Sequence, residues 1–209
     1  MNQYLLSDQQ IISSLNSLAA EYEVIALAVA LVGYPQARHR DAGFGTLARI
    51  IVGQQVSVKA ATSIAAQLES ALSGTLSAEQ VMRCDDSVLR GAGLSRQKVV
   101  YIRALSEAVR SGELDLSSLY DLSDAEAIAA ITAVKGFGIW SAHMYLMFSL
   151  GRLDIWPVGD LAVRGGFARI IGEANPLTER QVAEAGAVYS PHRSALALLC
   201  WKYYSEAPL

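Results

Sequence analysis

Two glycines separated by one residue, in Lys135-Gly136-Phe137-Gly138, form the part of this sequence best suited to hold a phosphate group. Apolar residues at helical spacing lie on both sides, a pattern that predicts two helices joined by a tight hairpin. Glycine has no Cβ, so the hairpin backbone can approach a ligand closely. Amides that point out of such a turn can bind phosphate. The sequence therefore predicts a phosphate-binding hairpin, beside which Lys135 adds a positive charge.

Asp160 is the acidic residue best placed for chemistry, because it follows Pro157 and Gly159 at a predicted helix start. The positive end of the helix dipole favours an ionised carboxylate at such a position. A fixed carboxylate stabilises positive charge that develops during a reaction more in the transition state than in the ground state. Aspartate is also among the commonest residues at helix N-termini, so a purely structural cap is the alternative.

Four blocks of the sequence, in this order, resemble the helix-hairpin-helix (HhH-GPD) superfamily of DNA glycosylases, and in particular the DNA-3-methyladenine glycosylase II branch. The blocks are 44–57, 89–98, the hairpin with the following Trp156-Pro157-Val158-Gly159-Asp160, and 190–201. Together they cover most of the chain. The chain begins too close to the first block to include the mixed α/β domain that precedes it in longer bacterial relatives.

The resemblance implies a hydrolase that flips a damaged base out of duplex DNA and cleaves its N-glycosidic bond. Asp160 would be the catalytic carboxylate, beside the sugar carbon that becomes cationic. Trp140 stands where strand-nicking relatives carry a nucleophilic lysine, and an indole cannot form a Schiff base. The implied enzyme is therefore monofunctional: it removes alkylated purines of the 3-methyladenine and 7-methylguanine type in base excision repair and leaves an abasic site.

The resemblance also places Trp140, Trp201 and Met144 in the base pocket. Alkylated purines carry a delocalised positive charge, which the electron-rich face of an aromatic ring attracts. Core packing is the alternative for the tryptophans, above all for Trp201. Met144 and Lys202 replace tyrosines of the longer bacterial enzyme, which leaves open a glycosylase for another damaged base, such as a deaminated or etheno purine.

Further DNA contacts are expected from two loops. They involve Gln54, Gln55, Lys135, Gly136, Phe137 and Gly138. Gln55 matches the residue that fills the gap left by the flipped nucleotide in the resembled branch, whereas local hydrogen bonds at a helix end are the alternative for both glutamines. No organic cofactor is implied, but the carbonyls of Gly136 and Gly138 are expected to hold a structural Na⁺ or K⁺.

Damaged double-stranded DNA is the expected partner of a monomeric protein that does not enter membranes. The resemblance also implies a bacterial-type cytoplasmic location, at the nucleoid when the protein acts on DNA. A non-catalytic helix-hairpin-helix module that binds distorted DNA is the alternative outside enzymes, and a helical scaffold without a DNA role is a more remote one. The net charge of -3 excludes DNA coating by bulk charge, although a local basic surface near the hairpin is compatible with it.

With 209 residues, 52% of them hydrophobic, the chain can bury a substantial core. Its two cysteines, Cys84 and Cys200, are far apart and in helical context, which predicts reduced, buried thiols rather than a disulfide or metal site. His143 and His192 have no Cys or Ser partner in the resembled pattern, so structural roles are predicted for both.

Helical periodicity throughout and the absence of hairpin signals between alternating runs predict an all-α fold. The resemblance divides it into two helical lobes with the active-site cleft between them. One lobe covers 43–152 and contains the helix-hairpin-helix at about 127–149; the other combines 1–42 with 153–209 and carries Asp160. N-caps are predicted at Ser57, Ser77, Ser95 and Ser123.

Overall fold

The computed structural model describes residues 4–207, and over this range the chain forms twelve α-helices and two short 3-10 helices without any β-strand. The all-α fold predicted from the sequence is confirmed. The helices are α1 (Asp8–Glu21), α2 (Glu23–Val32), α3 (Phe44–Gly53), α4 (Val58–Ala71), α5 (Ala78–Arg83), α6 (Asp86–Gly91), α7 (Arg96–Ser111), α8 (Asp124–Ala133), α9 (Ile139–Phe148), α10 (Leu161–Ile170), α11 (Glu179–Gly186) and α12 (Arg193–Glu206).

Side-chain caps explain where several helices begin. Ser57, Ser77, Ser95 and Ser123 each accept a hydrogen bond from the backbone amide three residues ahead, as predicted. At Ser123 the cap is reciprocal, because the side chain of Glu126 accepts from the Ser123 amide in return. Each cap satisfies an amide that the first turn leaves without a helical partner, so short-range chemistry fixes these starts.

The chain falls into two compact units, and one of them joins the chain up to His39 with the chain from Leu146 onward. In this unit α10 packs against α12, and α1 and α2 also contact α12. The approach of α10 to α12 depends on Gly166, where a Cβ would overlap the Cys200 carbonyl group. Phe167, buried on α10, meets the ring of Trp156 edge to face at 5.4 Å.

An ion pair fixes the start of α12 within the same unit. The guanidinium of Arg193 donates to both carboxylate oxygens of Asp154, at 2.8 and 2.7 Å. Burial by itself would raise the pKa of Asp154, but hydrogen bonds from Arg193 and Ser190 outweigh it and the net shift is downward. Ser194, next on α12, accepts from the Ile155 amide at 2.9 Å. Arg193 and Ser194 thus anchor the start of the last helix to the segment before α10.

The second unit is Arg40–Tyr145. Here α3 packs against α4 and α7, while α5 and α6 contact α7. Tyr145 is fully buried and its hydroxyl accepts from the Gly43 amide at 2.9 Å, just before α3 begins. Burial raises the pKa of Tyr145 to about 12. The units change over at 39/40 and 145/146, whereas the sequence predicts 42/43 and 152/153.

The prediction for the two cysteines needs correction. Cys200 is buried in α12, but Cys84 lies just after α5 and is only partly buried, so the prediction of two buried thiols was wrong for Cys84. The last turn before α12 is not α-helical: α11 stops at Gly186 and the chain continues as a 3-10 turn, Ala187–Tyr189. Of the helices formed by residues 4–207, none is long and apolar enough to cross a membrane.

Candidate functional site

The hairpin predicted from the paired glycines is present between α8 and α9, over residues 134–138. The Phe137 amide donates to the Val134 carbonyl at 3.1 Å and closes the turn. The Ala142 amide donates to the Gly138 carbonyl at 3.2 Å and starts α9. Phe137 is buried, whereas Lys135 and Gly138 are exposed. An exposed turn at a helix start, with a lysine beside it, fits the predicted phosphate contact.

Gly136 and Gly138 have different structural reasons to be glycine. Gly136 has a φ of +102°, a conformation that residues with a side chain rarely adopt. A Cβ there would also lie 2.7 Å from Cβ of Tyr101, too close for a van der Waals contact. A Cβ at Gly138 would meet no described atom of the surrounding protein within 4 Å. Packing therefore requires glycine at 136, while at 138 it leaves the backbone open to a ligand.

The loop after α3 is tied to this hairpin through Gln54. Its side-chain nitrogen Nε2 donates to the Gly136 carbonyl at 2.8 Å, and the contact is partly buried. Gln55, next along, is exposed and has a φ of +55°, which is uncommon for a residue other than glycine. The structure thus gives the two glutamines different surroundings: Gln54 joins two loops, and Gln55 extends into solvent at the tip.

We expect Gln54→Glu to lower the free energy of unfolding by about 1–2 kcal/mol, because a carboxylate would face the Gly136 carbonyl without a proton to donate. Gln55→Glu makes the same chemical change at the exposed neighbour, and we expect it to change the free energy of unfolding little. Chemical denaturation of both variants checks this. Equal stability of the two variants would contradict the link between Gln54 and the hairpin.

A polar pocket of about 310 Å³ opens where the loop, the hairpin and the start of α7 meet. It is lined by Gln54, Gln55, Ser95, Gln97, Lys98, Tyr101, Gly136, Phe137 and Gly138. Five of the six residues predicted to contact DNA are in this set; Lys135 is outside it. The structure therefore brings the two predicted DNA-contacting loops together within the unit Arg40–Tyr145.

Lys98 lines this pocket, and sequence reasoning did not identify it as a site residue. It is buried, and its Nζ donates to the Val52 carbonyl at 2.8 Å, near the end of α3. Burial lowers the pKa of Lys98. The spacing of three residues between Lys98 and Tyr101, on a helix with a clear apolar face, is the signal that could have placed both on one side of α7. The lysine braces the end of α3, immediately before the Gln54 loop.

Asp160 lies at the start of α10, as predicted, and it is the N-cap of that helix. Its Oδ1 accepts from the amides of Ala162 and Val163 at 2.9 and 3.0 Å. The turn before it is closed by the Asp160 amide, which donates to the Pro157 carbonyl at 2.9 Å. The side chain is partly exposed. The capping alternative is thus realised in the structure, and a cap of this kind holds a negative charge at the positive helix end.

Trp201 provides a third donor to the same carboxylate. Its indole Nε1 donates to Oδ1 of Asp160 at 3.0 Å, from α12 to the start of α10. The ring of Phe148 lies 5.9 Å from that of Trp201 in a tilted arrangement. Two of the predicted site residues, 41 positions apart in sequence, are therefore in direct contact. A charge-assisted hydrogen bond of this type orients both the carboxylate and the ring.

The charge of Asp160 also affects Cys200, the residue before Trp201. Burial raises the pKa of the Cys200 thiol, and the nearby carboxylate of Asp160 raises it further. Cys200 is fully buried, so its thiol stays protonated and is neither a nucleophile nor a metal ligand. Among residues 4–207, no cluster of three or more His, Cys, Asp or Glu side chains could hold a metal ion.

The other two predicted pocket residues lie in the unit Arg40–Tyr145, one helical turn apart on α9. Trp140 is 46% exposed, an unusual exposure for the largest side chain. Met144 is 8% exposed and packs in the interior. Nearly half of the Trp140 side chain is thus in contact with solvent, whereas Met144 contributes mainly to the core. The pocket role of both residues stays a prediction.

The Na⁺ or K⁺ site expected at the hairpin would use carbonyl oxygens that also accept hydrogen bonds within the protein. The Gly136 carbonyl accepts from Gln54, and the Gly138 carbonyl accepts from Ala142 within α9. Each carbonyl oxygen keeps a second lone pair beside its hydrogen bond, so the Na⁺ or K⁺ site at this hairpin stays a prediction. We assign no chemical role to a metal.

His143, on α9, is kept neutral by its surroundings. Burial lowers its pKa from 6.5 to about 4. The folded protein therefore leaves this imidazole unprotonated between those two pH values, while the unfolded chain protonates it. We expect the free energy of unfolding to fall as the pH decreases from 6.5 to about 4, and His143→Gln to make that decrease shallower.

Denaturant unfolding measured at a series of pH values checks the effect of His143. The difference in slope between the wild type and His143→Gln is the quantity that is compared. An unchanged slope in His143→Gln would show that this imidazole does not contribute. At neutral pH a histidine of this kind is not a proton donor, which agrees with the structural role predicted for it.

Comparison with known proteins gives a consistent result for sequence and fold. A family model described as HhH-GPD superfamily base excision DNA repair protein matches residues 48–191. DNA-3-methyladenine glycosylase 1 of Schizosaccharomyces pombe is 30% identical over 75% of this chain and 70% of its own length.

Two solved structures share the fold over nearly the whole chain. A DNA-3-methyladenine glycosidase from Bacillus halodurans has a TM-score of 0.85 at 33% identity, covering 92% of this chain and 89% of that one. The Schizosaccharomyces pombe 3-methyladenine DNA glycosylase, solved in complex with abasic DNA, has a TM-score of 0.82 at 29% identity, covering 91% and 95%.

Proposed function

Because the chain belongs to the HhH-GPD superfamily of base excision DNA repair proteins, we propose that it is a monofunctional DNA N-glycosylase that excises alkylated purines from duplex DNA. Its substrates would be bases of the 3-methyladenine and 7-methylguanine type, of which the names of its relatives mention the first. The observation that carries the proposal is the carboxylate of Asp160, fixed at a helix start and hydrogen-bonded to the indole of Trp201.

The proposed reaction replaces the bond between C1′ of the sugar and the base nitrogen by a bond to water. As the glycosidic bond breaks, its electron pair leaves with the base and positive charge develops on the sugar. The negative charge of Asp160 stabilises that cation, and its fixed position avoids reorganisation in the transition state. Water then adds to C1′ and loses a proton, for which the carboxylate is the acceptor.

Base selection in this proposal depends on an aromatic surface. The indole of Trp201 donates to a carboxylate, which makes its ring more electron-rich and more attractive to a positively charged purine. The exposed indole of Trp140 is a second candidate for stacking on a flipped base. A carboxylate, an aromatic ring and a phosphate-binding hairpin are the three parts that such a reaction needs.

The lysines support a glycosylase that does not cut the strand. Lys98 is buried and donates to the Val52 carbonyl, and Lys202 pairs with Glu206 at 2.7 Å. Lys135 is exposed beside the hairpin, where a phosphate contact suits it. Trp140 occupies the position of the nucleophilic lysine of strand-nicking relatives and has no amine for Schiff-base chemistry.

Duplexes that each carry one 7-methylguanine, hypoxanthine or ethenoadenine test the proposal. Free base is measured by chromatography, and the strand is analysed before and after treatment with alkali. Release of the methylated base, with a strand that breaks only in alkali, is the expected result. Release of hypoxanthine or ethenoadenine alone would contradict alkylated purines as the substrate class. Strand breakage without alkali would contradict a monofunctional reaction. Failure to release any base would overturn the enzymatic proposal.

A further inference from the structure

A positively charged side chain already lies over the ring of Trp201. The guanidinium carbon of Arg38 is 5.6 Å from the centroid of that ring, within the range of a cation–π interaction. Arg38 is exposed and belongs to the non-helical segment between α2 and α3. The ring that the proposed function assigns to a cationic base therefore has a cation of the protein against it.

The hydrogen bond to Asp160 strengthens this interaction. The indole N–H of Trp201 donates to a carboxylate oxygen at 3.0 Å, and a negative acceptor increases the electron density of the ring. An electron-rich ring attracts cations more than neutral groups. The site thus contains three groups in a row: the negative charge of Asp160, the polarised ring of Trp201 and the positive charge of Arg38.

We propose that Arg38 determines the base selectivity of this site by reducing its preference for cationic purines over neutral damaged purines. The inference rests on the proposed glycosylase function and extends its substrate class towards neutral lesions. Arg38 does not take part in the bond-breaking step; it acts on the base through the ring of Trp201 and through its own charge.

The charge effect has the same sign whichever face of the ring the base uses. A base on the face that Arg38 covers must displace the guanidinium, and a cationic base remains near a charge of its own sign. A base on the opposite face meets a ring whose electron density already interacts with Arg38. A neutral purine on the covered face must displace the guanidinium as well, but on neither face does it meet charge repulsion from Arg38, because its stacking does not depend on charge. Arg38 therefore disfavours cationic bases selectively.

Arg38→Met is the variant that isolates this effect, because methionine keeps an apolar stem that can pack on the ring and loses the charge. Arg40→Met is the matched control. Arg40 lies two positions further along, is exposed, and makes no hydrogen bond, ion pair or cation–π contact with the described part of the chain. Both variants remove one positive charge, but only the first removes it from the ring of Trp201.

Single-turnover rates of base release are measured on duplexes with 7-methylguanine, which is cationic, and hypoxanthine, which is neutral. The ratio of the two rates is expected to rise about threefold to tenfold in Arg38→Met and to stay at the wild-type value in Arg40→Met. An unchanged ratio in Arg38→Met overturns the inference. So does an equal loss of both rates in the two variants, which would identify Arg38 as a phosphate contact.

A binding measurement separates failure of this inference from failure of the proposed function. The indole N–H signal of Trp201 is followed by NMR during titration with 7-methylguanosine, cationic in mildly acidic buffer, and with guanosine. Arg38→Met is expected to tighten binding of 7-methylguanosine relative to guanosine by about the same factor. If the wild type releases no base, the proposed function fails, while an unchanged binding ratio in Arg38→Met overturns the role of Arg38 independently.

Discussion

Replacing Gly136 by alanine is expected to lower the free energy of unfolding by roughly 2–5 kcal/mol, because backbone strain and overlap add at this position. The φ of +102° disfavours any residue with a side chain. The new Cβ would also press on Tyr101 at its Cβ, the part of that side chain that cannot move away without its backbone. Chemical denaturation measures the loss.

Gly138→Ala is the matched control in the same hairpin, with an expected change below about 1 kcal/mol. Its Cβ would meet no described neighbour within 4 Å, and its φ is not in the left-handed region. In the double variant Tyr101→Ala/Gly136→Ala the overlap with the Tyr101 ring is relieved while that with its Cβ remains, so the two changes should be partly non-additive. Equal stability of Gly136→Ala and Gly138→Ala would contradict the packing role of Gly136.

The same pair of variants reports on the hairpin as a phosphate-binding element. Distortion of the turn at Gly136 would displace the exposed backbone of Gly138, so affinity for a duplex with an abasic analogue should fall together with stability. Gly138→Ala keeps the turn but adds a methyl group on its exposed side. A loss of affinity in that variant without loss of stability would locate the DNA at this surface.

Much of the fold follows from short-range patterns in the sequence. The apolar periodicity of segments such as 44–53 and 124–133 gives helices with those bounds. Serines at 57, 77, 95 and 123 cap the following helices as predicted. The paired glycines predict the hairpin, because a tight turn between two helices limits the residues that fit. These features depend on neighbours within one helical turn.

The contacts that define the site could not be predicted in this way. The hydrogen bond from Trp201 to Asp160 spans 41 residues, and that from Gln54 to Gly136 spans 82. The cation–π contact of Arg38 with Trp201 joins the segment between α2 and α3 to the last helix. Each of these residues can be read in the sequence, but the pairing depends on tertiary packing, of α3 against α7 within one unit and of α10 against α12 within the other. Only the resemblance to a family pointed to some of these residues together.

Asp160→Asn is expected to slow base release by about a hundredfold to a thousandfold, the magnitude typical of losing one preorganised electrostatic group. Asparagine is as good an N-cap as aspartate, so its amide oxygen can still accept from Ala162, Val163 and Trp201. The fold and the position of the ring are retained while the negative charge is lost. The role of Asp160 as a helix cap can therefore be tested separately from its proposed catalytic role.

Asp160→Ala separates them further, because it removes both the charge and the cap. We expect it to release base as slowly as Asp160→Asn and, unlike that variant, to lose about 1 kcal/mol of unfolding free energy. Comparable activity of Asp160→Ala and the wild type would mean that the carboxylate has only the structural role that its three hydrogen bonds provide. Thermal melting of the three proteins gives the stability comparison.

The single-turnover rate of 7-methylguanine release by Asp160→Asn, with enzyme saturating over one duplex, tests the role of this carboxylate most directly. Binding to an abasic duplex and the melting temperature are measured on the same samples. Release at least about a hundredfold slower than in the wild type, with binding and melting unchanged, is the expected result. Release at the wild-type rate, or binding by both proteins with no release by either, would contradict Asp160 as the catalytic carboxylate.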